Sequence, residues 1–133
     1  MSIKPKLTVW KLEKLNVLRM KIERFEDIIA WQKAKLLCVE IYKHFENSKD
    51  YGFRDQIQRA SVSVMNNIAE GFERKSNKEF RFFLYVAKGS CGEVRSMLIL
   101  AQELNKINKD QAQPVQVLAE EISRMISGLI KTL

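Results

Sequence analysis

The chain has 133 residues, the size of one domain, and its 46% hydrophobic and 29% charged residues are too apolar for a disordered polypeptide. Only 5 Gly and 2 Pro are present, which argues against a turn-rich all-β fold and against a glycine-rich phosphate loop. The formal net charge is +7, which favours encounter with an anionic partner such as nucleic acid without establishing binding.

Charge is concentrated at the start. Residues 1–19 carry Lys4, Lys6, Lys11, Lys14 and Arg19 against Glu13 alone. Residues 20–133 hold 18 basic and 15 acidic side chains and are only mildly basic. Trp10, Leu12, Leu15 and Val17 scatter around a helical wheel, so 1–19 reads as a basic extension: a flexible arm or a helix docked elsewhere. Met20 as the natural start is a third reading. There is neither a compact apolar run with a cleavage site nor a run of about 20 apolar residues, so neither a secretory signal nor a membrane span is expected. Cys38 and Cys91 stand apart, with no metal-ligand spacing, and read as buried free thiols in a reducing cytoplasm.

Residues 20–133 show four helical patterns. In 25–47, Trp31, Ala34, Cys38, Ile41 and Phe45 recur at spacings of three and four, while Ile28, Leu36 and Val39 form a second apolar patch suited to a subunit contact. Asn47, Ser48, Asp50 and Gly52 make a break. In 53–73, Phe53, Ile57, Ala60, Val64 and Ile68 share one side, with Gly71 and then Arg74-Lys75 suiting a C-terminus. Ser76 with Glu79 is a capping box opening the helix 77–107, whose core candidates are Phe83, Val86, Ala87, Val94, Met97, Leu98, Ala101 and Leu104. In 111–131, Val115, Leu118, Ile122, Met125, Leu129 and the following Leu133 line up, with Pro114 expected in the first turn. Four such helices with short connections predict an all-α, antiparallel up-down-up-down four-helix bundle.

A polar stripe accompanies the apolar one on the second helix. Gln56, Arg59, Ser63, Asn67 and Glu70 lie in one quadrant, and Ser90 and Glu93 lie on the side of the third helix that carries its expected core. A catalytic or metal reading of Arg59, Glu70 and Glu93 lacks the Glu-x-x-His pairs that bundle metal sites use, and the single histidine, His44, reads as a solvated side chain. The stripe is therefore expected to be a buried polar network, with Arg59 paired to Glu93 or Glu70. No catalytic residue, metal ligand or cofactor site is expected. For an anionic partner, Arg74, Lys75, Lys78 and Arg81 form the densest basic group, and Lys33, Lys35 and Lys43 a weaker one. Phe72, Phe82 and Tyr85, at the margin of the core stripe, suit contacts between subunits.

Phe25-Glu26-Asp27-Ile28 with Trp31-Gln32-Lys33-Ala34, Asp55-Gln56-Ile57 with Arg59-Ala60, Ser63 with Asn67-Ile68-Ala69-Glu70-Gly71, and Phe80, Phe83-Leu84, Ala87, Gly89-Ser90 and Glu93 together resemble the four-helix-bundle family of 23S rRNA-intervening-sequence proteins. Related members resemble the accessory variability determinant proteins of diversity-generating retroelements. The resemblance spans about 22–131 and rests on the N-I-A-E-G and A-x-G-S-x-x-E segments at this separation. It implies a small bacterial protein, usually a homopentamer, with a basic surface that contacts RNA or DNA, no enzymatic activity and no cofactor. A protein-interaction scaffold, docking a partner enzyme such as a reverse transcriptase, is the alternative role.

Overall fold

The computed structural model describes residues 22–133, so the expected basic extension 1–19 lies outside the described residues. The elements are a 3₁₀ turn Phe25–Asp27, then α1 (Ile29–Phe45), α2 (Tyr51–Glu73), α3 (Asn77–Glu103) and α4 (Lys109–Lys131). Each helix packs on its sequence neighbours, α1 also packs on α4, and the backbones of the diagonal pairs stay apart. The four helices form an antiparallel bundle, and no strand occurs among the described residues.

Helix boundaries differ from expectation where side chains take over backbone hydrogen bonding. Ile28 adopts an extended conformation and is buried, so α1 begins after it and Ile28 belongs to the core instead of the outward patch. Phe25 packs edge-on against Trp31, and the Gln32 amide donates to the Glu26 carbonyl at 2.9 Å, closing this entry turn. At the other end, α3 stops at Glu103 because Asn105 takes a left-handed φ of 56° and the Lys106 N–H reaches back to the Ala101 carbonyl at 2.8 Å. Ile107 is thereby buried and Lys106 pairs with Asp50 at 2.9 Å across the bundle end. A reciprocal capping box, Asn108 with Gln111, starts α4 at Lys109. Pro114 consequently falls at the sixth helical residue, past the first turn, where the helix forgoes one backbone hydrogen bond.

The core contains Ala34, Leu37, Ile41 and Phe45 from α1, and Ile57, Val64 and Ile68 from α2. From α3 come Phe80, Leu84, Ala87, Cys91, Val94, Leu98 and Ala101, and from α4 Ala112, Val115, Ala119, Ile122 and Ile126. On α3, Ala87, Val94, Met97, Leu98 and Ala101 are buried as expected, and the departures lie at the two ends of the helix. Leu84 is fully buried, whereas Val86 and Leu104 are exposed and Phe83 is only half-buried. On α4, Leu118, Met125, Leu129 and Leu133 flank the core as half-buried residues. Both cysteines are free; Cys38 donates to the Ser61 carbonyl at 3.0 Å and Cys91 to the Ala119 carbonyl at 3.1 Å. Burial raises the Cys38 thiol and pushes that of Cys91 up to about 11, so both stay protonated and unreactive near neutral pH.

Gly71 holds α2 against α3. A Cβ at this position would sit 2.7 Å from the Phe83 Cβ, 3.0 Å from the Phe80 ring and 3.3 Å from the Phe80 backbone oxygen. In an open helix Gly→Ala gains about 1 kcal/mol, but overpacking costs about 1–3 kcal/mol. Gly71→Ala is therefore expected to destabilise the fold by about 1–2 kcal/mol in urea unfolding. A stabilised variant would mean that the two helices separate freely here.

Candidate nucleic-acid interface

The connection between α2 and α3 is short and basic, and its shape comes from its caps. The Arg74 N–H returns to the Gly71 carbonyl at 3.2 Å, ending α2. Ser76 then caps α3: its hydroxyl oxygen accepts the Glu79 N–H at 3.2 Å and its O–H donates to the Glu79 carboxylate at 3.0 Å. Lys75 is thus presented on an exposed turn, and Lys78 and Arg81, three residues apart, are neighbours on the first turns of α3.

Within this group the four cations are not equivalent. Arg74 bonds Glu70 at 2.8 Å, lies 4.0 Å from Glu79 and stacks its guanidinium 4.8 Å over the Phe83 ring. Its charge is largely answered, and its stem helps to pin the turn. Lys75, Lys78 and Arg81 have no carboxylate within ion-pair distance among the described residues; Lys75 and Lys78 are exposed and Arg81 is half-buried. Glu70, Glu73 and Glu79, overlooked when the cations are counted alone, lie among them and moderate the local field.

The weaker basic set on α1 divides. Lys33 pairs with Glu121 of α4 at 2.6 Å and acts as a strut between these helices. Lys35 lies 5.3 Å over the Trp31 ring, and Lys43 is exposed with no ion pair among the described residues. His44 sits 3.7 Å from Glu40 one turn back.

The polar stripe comes together in part and is not buried. Ser63 and Ser90 share a hydrogen bond of 2.7 Å, and the Asn67 amide donates to the Ser63 hydroxyl at 2.9 Å and its carbonyl at 2.8 Å. The Gln56 amide donates to Glu93 at 3.4 Å. Arg59, Gln56, Glu70 and Glu93 are exposed, and the expected pairing of Arg59 with Glu93 or Glu70 does not form: Glu70 binds Arg74, and Arg59 Nε donates to the Asp55 carbonyl at 3.4 Å. The physical reason is that α2 and α3 do not close over this part of the stripe, beside Gly52. There they leave an open depression of about 500 Å³ lined by Gln56, Arg59, Ser63, Ser90 and Glu93. Charges at its rim are solvated and need no buried partner. Arg59→Ala is accordingly expected to change unfolding free energy by no more than about 0.5 kcal/mol. A loss of about 2 kcal/mol or more on urea denaturation would contradict this exposure.

The depression offers a guanidinium, a carboxylate and hydroxyls, but no nucleophile poised beside a base. Among the described residues no group of three or more His, Cys, Asp and Glu side chains is placed to hold a metal ion. No helix among them is long and apolar enough to cross a membrane.

Comparison with known proteins places the architecture. A crystal structure of a protein of unknown function from the S23 ribosomal protein family of Bacteroides thetaiotaomicron superposes with a TM-score of 0.73 at 24% sequence identity. The alignment covers 77% of this chain and 99% of that one, and shows a shared fold. No curated protein matches the chain. The family model of the 23S rRNA-intervening sequence protein matches residues 26–128, from the entry turn to the last turns of α4. The chain belongs to the 23S rRNA-intervening sequence protein family.

Proposed function

We propose that this protein is a non-catalytic, RNA-associated scaffold assembled from copies of its four-helix bundle and working in a reducing cytoplasm. The observation that carries this reading is the group Lys75, Lys78 and Arg81. These three cations, unanswered among the described residues, stand on one exposed turn and the start of a 27-residue helix. Free N–H groups at that helix start add to the attraction for phosphate. The family name refers to an inserted ribosomal RNA sequence, which makes structured RNA the first polyanion to test. A single bundle offers few phosphate contacts, and assembly repeats the group once per subunit, turning a weak site into a substantial field.

The test is a salt titration of binding to a labelled, structured RNA. Affinity is expected to fall steeply as KCl rises; absence of binding at low salt, or binding indifferent to salt, overturns the reading. A second reading, an accessory protein that docks a partner enzyme such as a reverse transcriptase, draws on Tyr51, Phe82 and Tyr85. All three are more than half exposed, an unusual cost unless something covers them. Salt-insensitive capture of such an enzyme, without RNA affinity, would favour it.

A further inference from the structure

Beside the open depression between α2 and α3, two opposite charges stand level and do not meet. The Ser63–Ser90 hydrogen bond sets the register of the antiparallel pair, so one turn towards Gly52 Arg59 of α2 comes level with Glu93 of α3. Neither has an ionic partner among the described residues. Asp55, one turn back from Arg59, is held by Arg54 at 3.0 Å, and Glu70 by Arg74 at 2.8 Å. Arg59 Nε donates to the Asp55 carbonyl at 3.4 Å, which leaves both terminal amino groups of the guanidinium free. Glu93 accepts only from the Gln56 amide, at 3.4 Å, so most of its accepting capacity stays open.

The volume of the depression, about 500 Å³, lies within the roughly 300–1,000 Å³ of small-molecule sites. Its lining has no aromatic or large aliphatic side chain, so it lacks the apolar anchor on which a protein partner's contact energy centres. What it offers is a planar double donor beside a planar double acceptor. A planar ligand satisfying both must carry two adjacent acceptors on one edge and two adjacent N–H donors on the next. Guanine has this pattern: O6 and N7 match a guanidinium, while N1–H and the N2 amino group match a carboxylate. Adenine turns the acceptor N1 towards the carboxylate and the N6 donor towards the guanidinium. Cytosine and uracil have neither an equivalent of N7 nor two adjacent N–H donors.

We infer that Arg59 and Glu93 form a guanine-binding site, Arg59 donating to O6 and N7 and Glu93 accepting from N1–H and the N2 amino group. Gln56 steadies the Glu93 carboxylate. Arg59 is about 22 Å of helix away from Arg74, so this site is separate from the Lys75 turn and works without it. Two sources present the same base edges: a free guanine nucleotide, and an unpaired guanine splayed out of an RNA loop.

The probe is GMP, titrated into the 133-residue chain at low salt and followed by amide NMR. Saturable shifts at Arg59 and Glu93 are expected, with AMP, CMP and UMP, which carry the same phosphate, at least about 10-fold weaker. Inosine monophosphate, which lacks only the N2 amino group, and 7-deaza-GMP, which lacks N7, are each expected to bind about 5- to 10-fold more weakly than GMP. Arg59→Ala and Glu93→Gln, both at exposed positions, are expected to keep the parent far-UV spectrum and to lose the preference for GMP over AMP. Equal binding of the four nucleotides, or a preference that survives both substitutions, overturns the site. Two RNA hairpins differing in one loop base, guanine or adenine, identify the source. Tighter binding of the guanine hairpin, lost with Glu93→Gln but kept when Lys75, Lys78 and Arg81 are neutralised, places the base in RNA. Equal hairpin binding beside GMP selectivity assigns the free nucleotide. RNA binding with neither preference overturns the guanine site and leaves the phosphate surface standing; GMP selectivity without RNA affinity does the converse.

Discussion

Leu84→Ala is expected to lower stability by about 2–5 kcal/mol, while Val86→Ala, two residues further along α3, changes it by no more than about 0.5 kcal/mol. Leu84 is fully buried and points with Phe80, Ala87 and Cys91 into the centre of the bundle. Its truncation forfeits transfer free energy and leaves a cavity that the close-packed core around it cannot collapse into. Val86 stands on the opposite flank, 37% exposed, where alanine loses little contact and gains helix propensity. Against a total stability of about 5–15 kcal/mol for a domain of this size, the first change threatens folding at physiological temperature and the second does not. Urea unfolding of the two variants under conditions where the parent chain is monomeric reads the difference. Equal losses would contradict the inward placement of Leu84 and the outward placement of Val86.

That pair of residues also shows how far hydrophobic spacing reaches. On α1 and α2 the main apolar stripe of the sequence is the one that packs inward, so Ala34, Ile41, Phe45, Ile57, Val64 and Ile68 are core residues both by periodicity and in three dimensions. α3 carries two apolar stripes, one through Phe80, Leu84 and Cys91 and one through Phe82, Tyr85 and Ile99. The expected core takes Ala87, Val94, Met97, Leu98 and Ala101 from the inward stripe but adds Phe83, Val86 and Leu104, apolar residues that lie beside it. The distinguishing signal was present: the buried stripe keeps the three-four spacing from Phe80 to Ala101 with no polar member, whereas the outer one is broken by glycines and Ser96. Helix ends are legible where a cap is unambiguous, as at Ser76; the stop at Glu103, a few residues before the expected 107, depends on a left-handed Asn105 at the start of the connection.

The polar residues were harder to place. Ser63, Asn67 and Ser90 do form a connected set between α2 and α3, as their quadrant suggests. Whether Arg59 and Glu93 join them depends on whether their end of the stripe is closed off from solvent, and the open depression there leaves both exposed. The same applies to charge. Counting cations finds Arg74, but only geometry shows that Glu70 and Phe83 already hold it. It finds Lys33 too, yet that side chain spends its charge on Glu121.

Neutralising Lys75, Lys78 and Arg81 together to glutamine is expected to weaken RNA binding about 10- to 100-fold at low salt, with stability and assembly unchanged. The three cations have no carboxylate partner to strand among the described residues, so their removal costs the fold little. Arg74 is left in place because it caps the turn through Glu70 and Phe83, and its loss would confuse binding with folding. The loss should be similar for RNAs of different sequence, since phosphate contacts carry position and affinity but no base identity.

The central claim, that this end of the bundle is a phosphate-binding surface, is tested most directly by the slope of log Kobs against log[KCl]. It is measured for a structured RNA with the unmodified chain and with the triple glutamine variant. A steep negative slope is expected for the unmodified chain, and a slope shallower by about 1 for each cation removed, about 3 in all. Identical slopes and affinities for the two proteins would contradict it.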